Sequence, residues 1–237
     1  MSVVAWHPGW RKIFRLLLCL TIFILTLDSC IGVSADIQMR GDGSGKIVLE
    51  YRFSRMAEAL GRLDGNERWQ IIPAGRADLE RTLARIPDMK LASFSTGEEA
   101  APVGNDKDIV NKATLEFKNT EALLKFLDPA GRRAVLSRSN GSNSLSVIIT
   151  EPATSPESPE MDADLLELMR KVSAGYRFRL SFSAEGNSVL ALTGAAGETI
   201  ATPPDAKIIS SGKKVSFETG TGELLGSKQG LGLRFTW

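Results

Sequence analysis

Apolar and polar side chains alternate along several short stretches of this chain, and turn-forming residues separate these stretches. The first two stretches flank the segment 42–45 (DGSG) and place their apolar residues on odd positions: Ile37, Met39, Ile47, Leu49, Tyr51 and Phe53. Alternation with a period of two on both sides of a glycine-rich turn predicts a β-hairpin. A second hairpin is predicted around the segment 140–143 (NGSN), between strands near 134–137 and 145–149.

Alternation also predicts strands at 89–95, 113–117 and 176–183, the last with a hairpin partner at 189–193. Another pair is predicted at 207–210 and 215–217 around Gly212, and a closing strand at 231–237. The segment 96–108 (TGEEAAPVGNDKD) is polar and predicts a flexible loop. The spacing of its carboxylates does not match an EF-hand, so a solvated loop is expected rather than a calcium site: Glu98, Glu99, Asp106 and Asp108.

Helical periodicity predicts four helices, at 56–63, 76–86, 119–127 and 161–172. Pro87 ends the second, and Asn119 or Thr120 caps the third. Hairpins with helices between them predict an α+β fold, mainly antiparallel sheet with three or four helices packed on it. We expect one domain over 37–237. The proline-rich segment 151–160 (EPATSPESPE) is either a linker at a sub-boundary or a long surface loop.

The N-terminal thirty residues predict where the protein is found. Three basic residues, Arg11, Lys12 and Arg15, precede an apolar run over 16–27 that is too short for a comfortable membrane span. The run is followed by Leu27-Asp28-Ser29-Cys30, which resembles the bacterial lipobox, although Asp28 departs from the usual small or β-branched residue. We therefore expect a signal peptide over 1–29, cleavage between Ser29 and Cys30, and a lipidated Cys30 with a tether over 30–36. Plain cleaved export and an uncleaved anchor are the alternatives.

Removal of residues 1–29 would leave a domain whose composition excludes several kinds of site. The chain has one histidine, His7, and two cysteines, Cys19 and Cys30, so the remaining domain has no histidine, disulfide or free thiol. Zinc sites built on His and Cys, Ser-His-Asp triads and Cys-His dyads are thereby excluded. The remaining 26 basic and 27 acidic residues lack the cationic excess of a nucleic-acid binder. No metal or other cofactor is expected.

The segment 35–52 (ADIQMRGDGSGKIVLEYR) resembles the opening hairpin of bacterial lipoproteins of the spirochaete type and, more remotely, that of the LppM-like lipoprotein domain family. In both, a strand just beyond the lipidated cysteine leads through a DG-containing turn into a second strand. The similarity to the first group extends to 63–69 (LDGNERW) and 116–123 (EFKNTEAL). The resemblance implies an envelope lipoprotein with an α+β domain and a role in lipid or glycolipid handling. It supplies no catalytic residues.

Three functional hypotheses follow. The first is a non-enzymatic lipoprotein of the cell envelope, held to a membrane by lipid such as palmitate on Cys30 and binding a lipid or protein ligand or serving a structural role. The second is an exported hydrolase that uses carboxylates instead of histidine, with Glu98, Glu99, Asp106 and Asp108 as the first candidates. The third is an outer-membrane barrel-associated protein, suggested by the alternating C-terminal stretch; the short strands favour a closing strand of the exported domain.

Overall fold

The structure is a computed structural model that describes residues 31–55, 75–139, 141–150, 171, 173, 175–194, 197–225 and 230–237. The described strands are β1 (Ile31–Met39), β2 (Gly45–Phe53), β3 (Met89–Ala100), β4 (Lys107–Phe117), β5 (Ala134–Ser139), β6 (Ser142–Thr150), β7 (Arg177–Ser183), β8 (Val189–Thr193), β9 (Lys207–Ser211), β10 (Lys214–Gly220) and β11 (Leu231–Thr236). The described helices are α1 (Arg76–Leu83), α2 (Thr120–Leu127) and α3 (Thr221–Leu225).

These strands form two sheets. The larger has seven strands in the order β3-β4-β2-β1-β7-β10-β9, and the smaller has four in the order β5-β6-β11-β8. All pairings are antiparallel except β1 with β7, which are parallel. The described part of the chain is therefore rich in sheet and poor in helix, with one mixed and one antiparallel sheet.

One hydrophobic core joins the two sheets. The odd-numbered residues Ile47, Leu49 and Tyr51 of β2 are buried, which confirms the alternation of this strand. Phe182 of β7 is fully buried, and its ring centroid lies 5.2 Å from that of Phe235 and 4.8 Å from that of Trp237. Aromatic pairs at such distances add to the free energy gained by burial. Phe182 thus connects the larger sheet to the end of the chain.

Two of the predicted helices are confirmed within the described residues. α1 buries Leu79 and Leu83, and α2 begins where Asn119 Oδ1 accepts a hydrogen bond of 2.9 Å from the Ala122 backbone N–H. This contact is an N-cap, which satisfies an amide that the helix itself leaves unpaired. α2 packs on the core through the predicted apolar face, with Leu123 buried and Leu124 partly buried.

The three confirmed hairpins are β1–β2, β5–β6 and β9–β10. The closing strand β11 is confirmed as well, and it lies between β6 and β8. The predicted hairpin of 176–183 with 189–193 is wrong. β7 pairs with β1 and β10, whereas β8 pairs with β11 in the other sheet.

The expected loop at 96–108 is wrong at both ends and is confined to residues 101–106, because β3 extends to Ala100 and β4 begins at Lys107. β3 is an edge strand, and its extension over 96–100 is largely exposed, so this part of the sequence lacks the apolar alternation that marks a half-buried strand. The expected tether at 31–36 likewise belongs to a strand, since β1 begins at Ile31 rather than Ile37.

The expectation of three or four helices packed on the sheet is not matched. Two of the described helices have eight residues, and the third, α3, has five residues that the sequence analysis did not predict as helix. The predicted helix at 56–63, the segment 151–160 and the signal peptide at 1–29 lie outside the described residues, as does the predicted helix at 161–172 except for Lys171. None of the helices in the described parts of the chain has the length and apolarity needed to traverse a bilayer.

Candidate functional site

The predicted lipidation and cleavage residues, Cys30 and Ser29, lie outside the described residues, but covalent connectivity fixes where Cys30 joins the fold. The next residue, Ile31, is the first of β1 and pairs with Phe53 of β2. Its carbonyl oxygen accepts a hydrogen bond of 3.1 Å from the Thr221 hydroxyl. Ile31 is therefore held on two sides. We call this end of the seven-stranded sheet the anchor end.

The β3–β4 hairpin reaches past the anchor end. Phe53 pairs with Ile31 in one direction and with Ile109 of β4 in the other, so these three residues form one row across the sheet. The last paired residues of the hairpin, Ala100 and Lys107, lie two residues beyond that row. The turn that follows, residues 101–106, is closed by a hydrogen bond of 2.9 Å from the Ala101 N–H to the Asp106 carbonyl oxygen. We call residues 101–106 the hairpin tip.

A buried carboxylate connects this hairpin to the residue preceding β7. Asp108 is 1% exposed, and its Oδ1 accepts a hydrogen bond of 3.0 Å from the Tyr176 hydroxyl. Its Oδ2 lies 3.6 Å from Nη1 of Arg52, which is within ion-pair distance but long for a hydrogen bond. Arg52 also donates a hydrogen bond of 2.9 Å to the Ala100 carbonyl oxygen. Because a buried carboxylate is stable only when it is paired, this network fixes the hairpin against the strands beside it.

Two of the other candidate carboxylates of the hydrolase hypothesis, Glu98 and Glu99, are ion-paired as well. Glu98 pairs with Arg55 and lies 3.7 Å from the Lys107 ammonium, and Glu99 pairs with Arg52 and Lys112. The hydrogen bond from Lys112 lowers the pKa of Glu99, and the Arg52 guanidinium adds to the effect.

A general acid of a glycosidase needs a raised pKa instead, so that it is protonated near neutral pH. Glu99 has the opposite shift, and Asp106 lies at the hairpin tip, where its backbone carbonyl oxygen accepts the closing hydrogen bond. The geometry therefore favours a structural role for Glu98, Glu99 and Asp108. Within the described ranges, no group of three or more acidic, histidine or cysteine side chains is placed to hold a metal ion.

An open cleft of about 490 Å³ lies at the opposite end of the sheet, next to the β1–β2 turn. The Lys90 ammonium lies 2.8 Å from the Glu116 carboxylate, and this hydrogen bond lowers the pKa of Glu116. Lys118 lies 3.3 Å from Asp88 in the same cleft. The charged lining consists of Arg40, Lys90 and Lys118 with Asp88 and Glu116, and the cleft is open, unlike the enclosed apolar cavities that hold acyl chains. We call it the polar cleft.

The sequence analysis identified Asp108 only as one of a group of acidic residues and missed Tyr176 and Arg52 as its partners. These residues are 68 and 56 positions away along the chain, so no local pattern connects them. A comparison of the chain with known proteins finds no matching family model and no significantly similar curated protein.

Proposed function

We propose that this protein is an exported lipoprotein of the cell envelope, held to a membrane by acyl chains on Cys30, with a non-enzymatic binding or structural role for its α+β domain. The observation that carries the proposal is the sequence of the first thirty residues, in which a basic segment and a short apolar run lead directly to Leu27-Asp28-Ser29-Cys30. Several acyl chains on one residue hold a protein effectively permanently, because each buried methylene contributes about 0.8 kcal/mol.

Two features of the fold support a non-enzymatic role. Three of the four candidate carboxylates, Glu98, Glu99 and Asp108, are paired with cations, and the polar cleft at the far end has its lysines paired with carboxylates. The lysine partners of Glu99 and Glu116 lower the pKa of these two carboxyl groups, whereas a general acid needs a raised pKa. A role in lipid or glycolipid handling is consistent with the membrane location, and an open polar cleft suits a headgroup better than an acyl chain.

Metabolic labelling with an alkyne fatty acid, followed by membrane fractionation, tests the proposal. We expect the wild-type protein to be labelled and found in the membrane fraction. Cys30→Ala should lose the label, while Cys19→Ala, which changes the other cysteine of the chain, should keep it. Equal labelling of wild type and Cys30→Ala, or no labelling of either, would contradict a lipid anchor on Cys30.

A further inference from the structure

The anchor predicted at Cys30 leaves no free chain between the membrane and the fold. Ile31 is the first residue of β1, and consecutive Cα atoms are about 3.8 Å apart. Ile31 is itself held by its pairing with Phe53 and by the hydrogen bond from Thr221. If Cys30 carries acyl chains, as proposed above, the anchor end of the sheet must lie at the membrane surface. The inference below rests on that proposed function.

The hairpin tip lies at this same end. The closing hydrogen bond of the tip joins residues three positions beyond the row of Ile31, Phe53 and Ile109. At about 3.4 Å per residue, three positions correspond to roughly 10 Å of strand. The hairpin therefore extends past the start of β1 in the direction that leads to Cys30.

Contacts with the segment before β7 show how the tip lies. A β-carbon added at Gly175 would come within 2.6 Å of Pro102 Cβ and 3.2 Å of Val103 Cγ2, so the tip packs closely on this glycine. In the sheet, β2 and β1 lie between β4 and β7. The tip thus crosses the ends of β2 and β1. The hydrogen bond between Tyr176 and Asp108 likewise joins the β4 side of these two strands to the β7 side.

The chemistry of the tip suits the interface of a bilayer. Its first three residues, Ala101, Pro102 and Val103, are apolar, and Val103 is 63% exposed. The other residues of the tip, Gly104, Asn105 and Asp106, include one acidic side chain, while Glu98 and Glu99 of the adjoining strand ends are paired with cations and so add little net negative charge.

We infer that the hairpin tip is a second, non-covalent membrane contact, with Val103 inserted at the boundary between the headgroups and the acyl chains while Cys30 anchors the chain. The partner is the lipid surface itself. The domain would then stand on the membrane in one orientation, with the polar cleft directed away from the bilayer.

A fluorescent probe on Val103 tests this contact in the full acylated protein. The sulfur of an acylated Cys30 is blocked and Cys19 is removed with the signal peptide, so Val103→Cys gives a single site for an environment-sensitive dye. The labelled protein is placed in phosphatidylcholine vesicles with or without bromine on the acyl chains. Bromine quenches the dye only where the dye enters the bilayer.

Val189→Cys is the matched control, because Val189 is also 63% exposed. Val189 pairs with Thr236, next to Trp237, which packs on Phe182. Phe182 pairs with Ile37, six residues along β1 from Ile31, so Val189 belongs to a part of the fold remote from the anchor end.

We expect brominated lipids to reduce the emission of the probe at position 103 and to leave the probe at position 189 unchanged. The intact mass of the same samples shows whether Cys30 is acylated, so that a failure of the membrane contact can be told from a failure of the lipid anchor. An acylated protein whose probe at 103 is not quenched would overturn the membrane contact and leave the lipid anchor standing. A protein without acyl mass would overturn both.

Discussion

Asp108 shows how one residue connects distant parts of the chain. Its two carboxylate oxygens face different partners, the Tyr176 hydroxyl and the Arg52 guanidinium, and the side chain is almost fully buried. Removing one partner leaves a polar or charged group buried and unpaired. The free-energy penalty for this is generally larger than the net stabilisation that the intact pair provides. At the scale of residues, the anchor end is therefore held by polar contacts rather than by apolar packing alone.

Tyr51 is expected to lower the stability of the domain at alkaline pH. Burial raises the pKa of its hydroxyl from 10.0 to about 12. Because the folded pKa is the higher one, the stabilisation is complete below about pH 10 and is lost as the pH rises towards 12. At about pH 11 the loss from this group is about 1.4 kcal/mol. We expect Tyr51→Phe to lack this loss, as measured by urea unfolding of both proteins at about pH 8 and about pH 11. Equal alkaline losses in the two proteins would contradict the assignment.

At the scale of elements, the pairing partners decide how much the sequence could predict. The hairpins β1–β2, β5–β6 and β9–β10 were predicted because alternation and a turn lie within one short stretch. The far end of the β3–β4 hairpin was not predicted. Its charged residues Glu99 and Glu98 form ion pairs with Arg52 and Arg55, which are more than 40 positions away along the chain. The parallel pairing of β1 with β7 is equally non-local and follows from no local pattern.

Two glycines with the same kind of backbone test the packing of the hairpin tip. Gly175 and Gly186 have φ angles of 87° and 98°, so alanine at either position is strained by roughly 1–2 kcal/mol. Only Gly175 is close to other atoms, because an added β-carbon would meet Pro102, whereas nothing lies within 4 Å at Gly186. We expect Gly175→Ala to lower the free energy of unfolding by at least about 1 kcal/mol more than Gly186→Ala. Urea unfolding measures both, and equal losses would contradict the contact.

At the scale of the whole molecule, the chain on either side of the segment 151–160 contributes to both sheets. β1 from the first part pairs with β7 from the second, and β6 from the first part pairs with β11 from the second. The sequence analysis left open whether 151–160 separates two domains, because composition does not reveal which strands pair. Strands shared in this way favour one cooperative unit.

Phe182 tests cooperativity, because its ring contacts Phe235 and Trp237 across the core. We expect calorimetry of the wild-type protein to give a single transition, and Phe182→Ala to lower the free energy of unfolding by about 3–5 kcal/mol while keeping one transition. Val135→Ala, at a position 54% exposed, is the control and should change it by less than about 0.5 kcal/mol. Two separate transitions in the wild-type protein would contradict a single unit.

The proposed membrane location and the proposed orientation of the domain both depend on the lipid at Cys30. The most direct measurement is the intact mass of the protein purified from its native membranes, beside the Cys30→Ala variant. We predict a mature N-terminus at Cys30 that carries added acyl mass, which the variant lacks. An unmodified mass, or release of the wild-type protein from the membrane, would contradict the lipoprotein proposal.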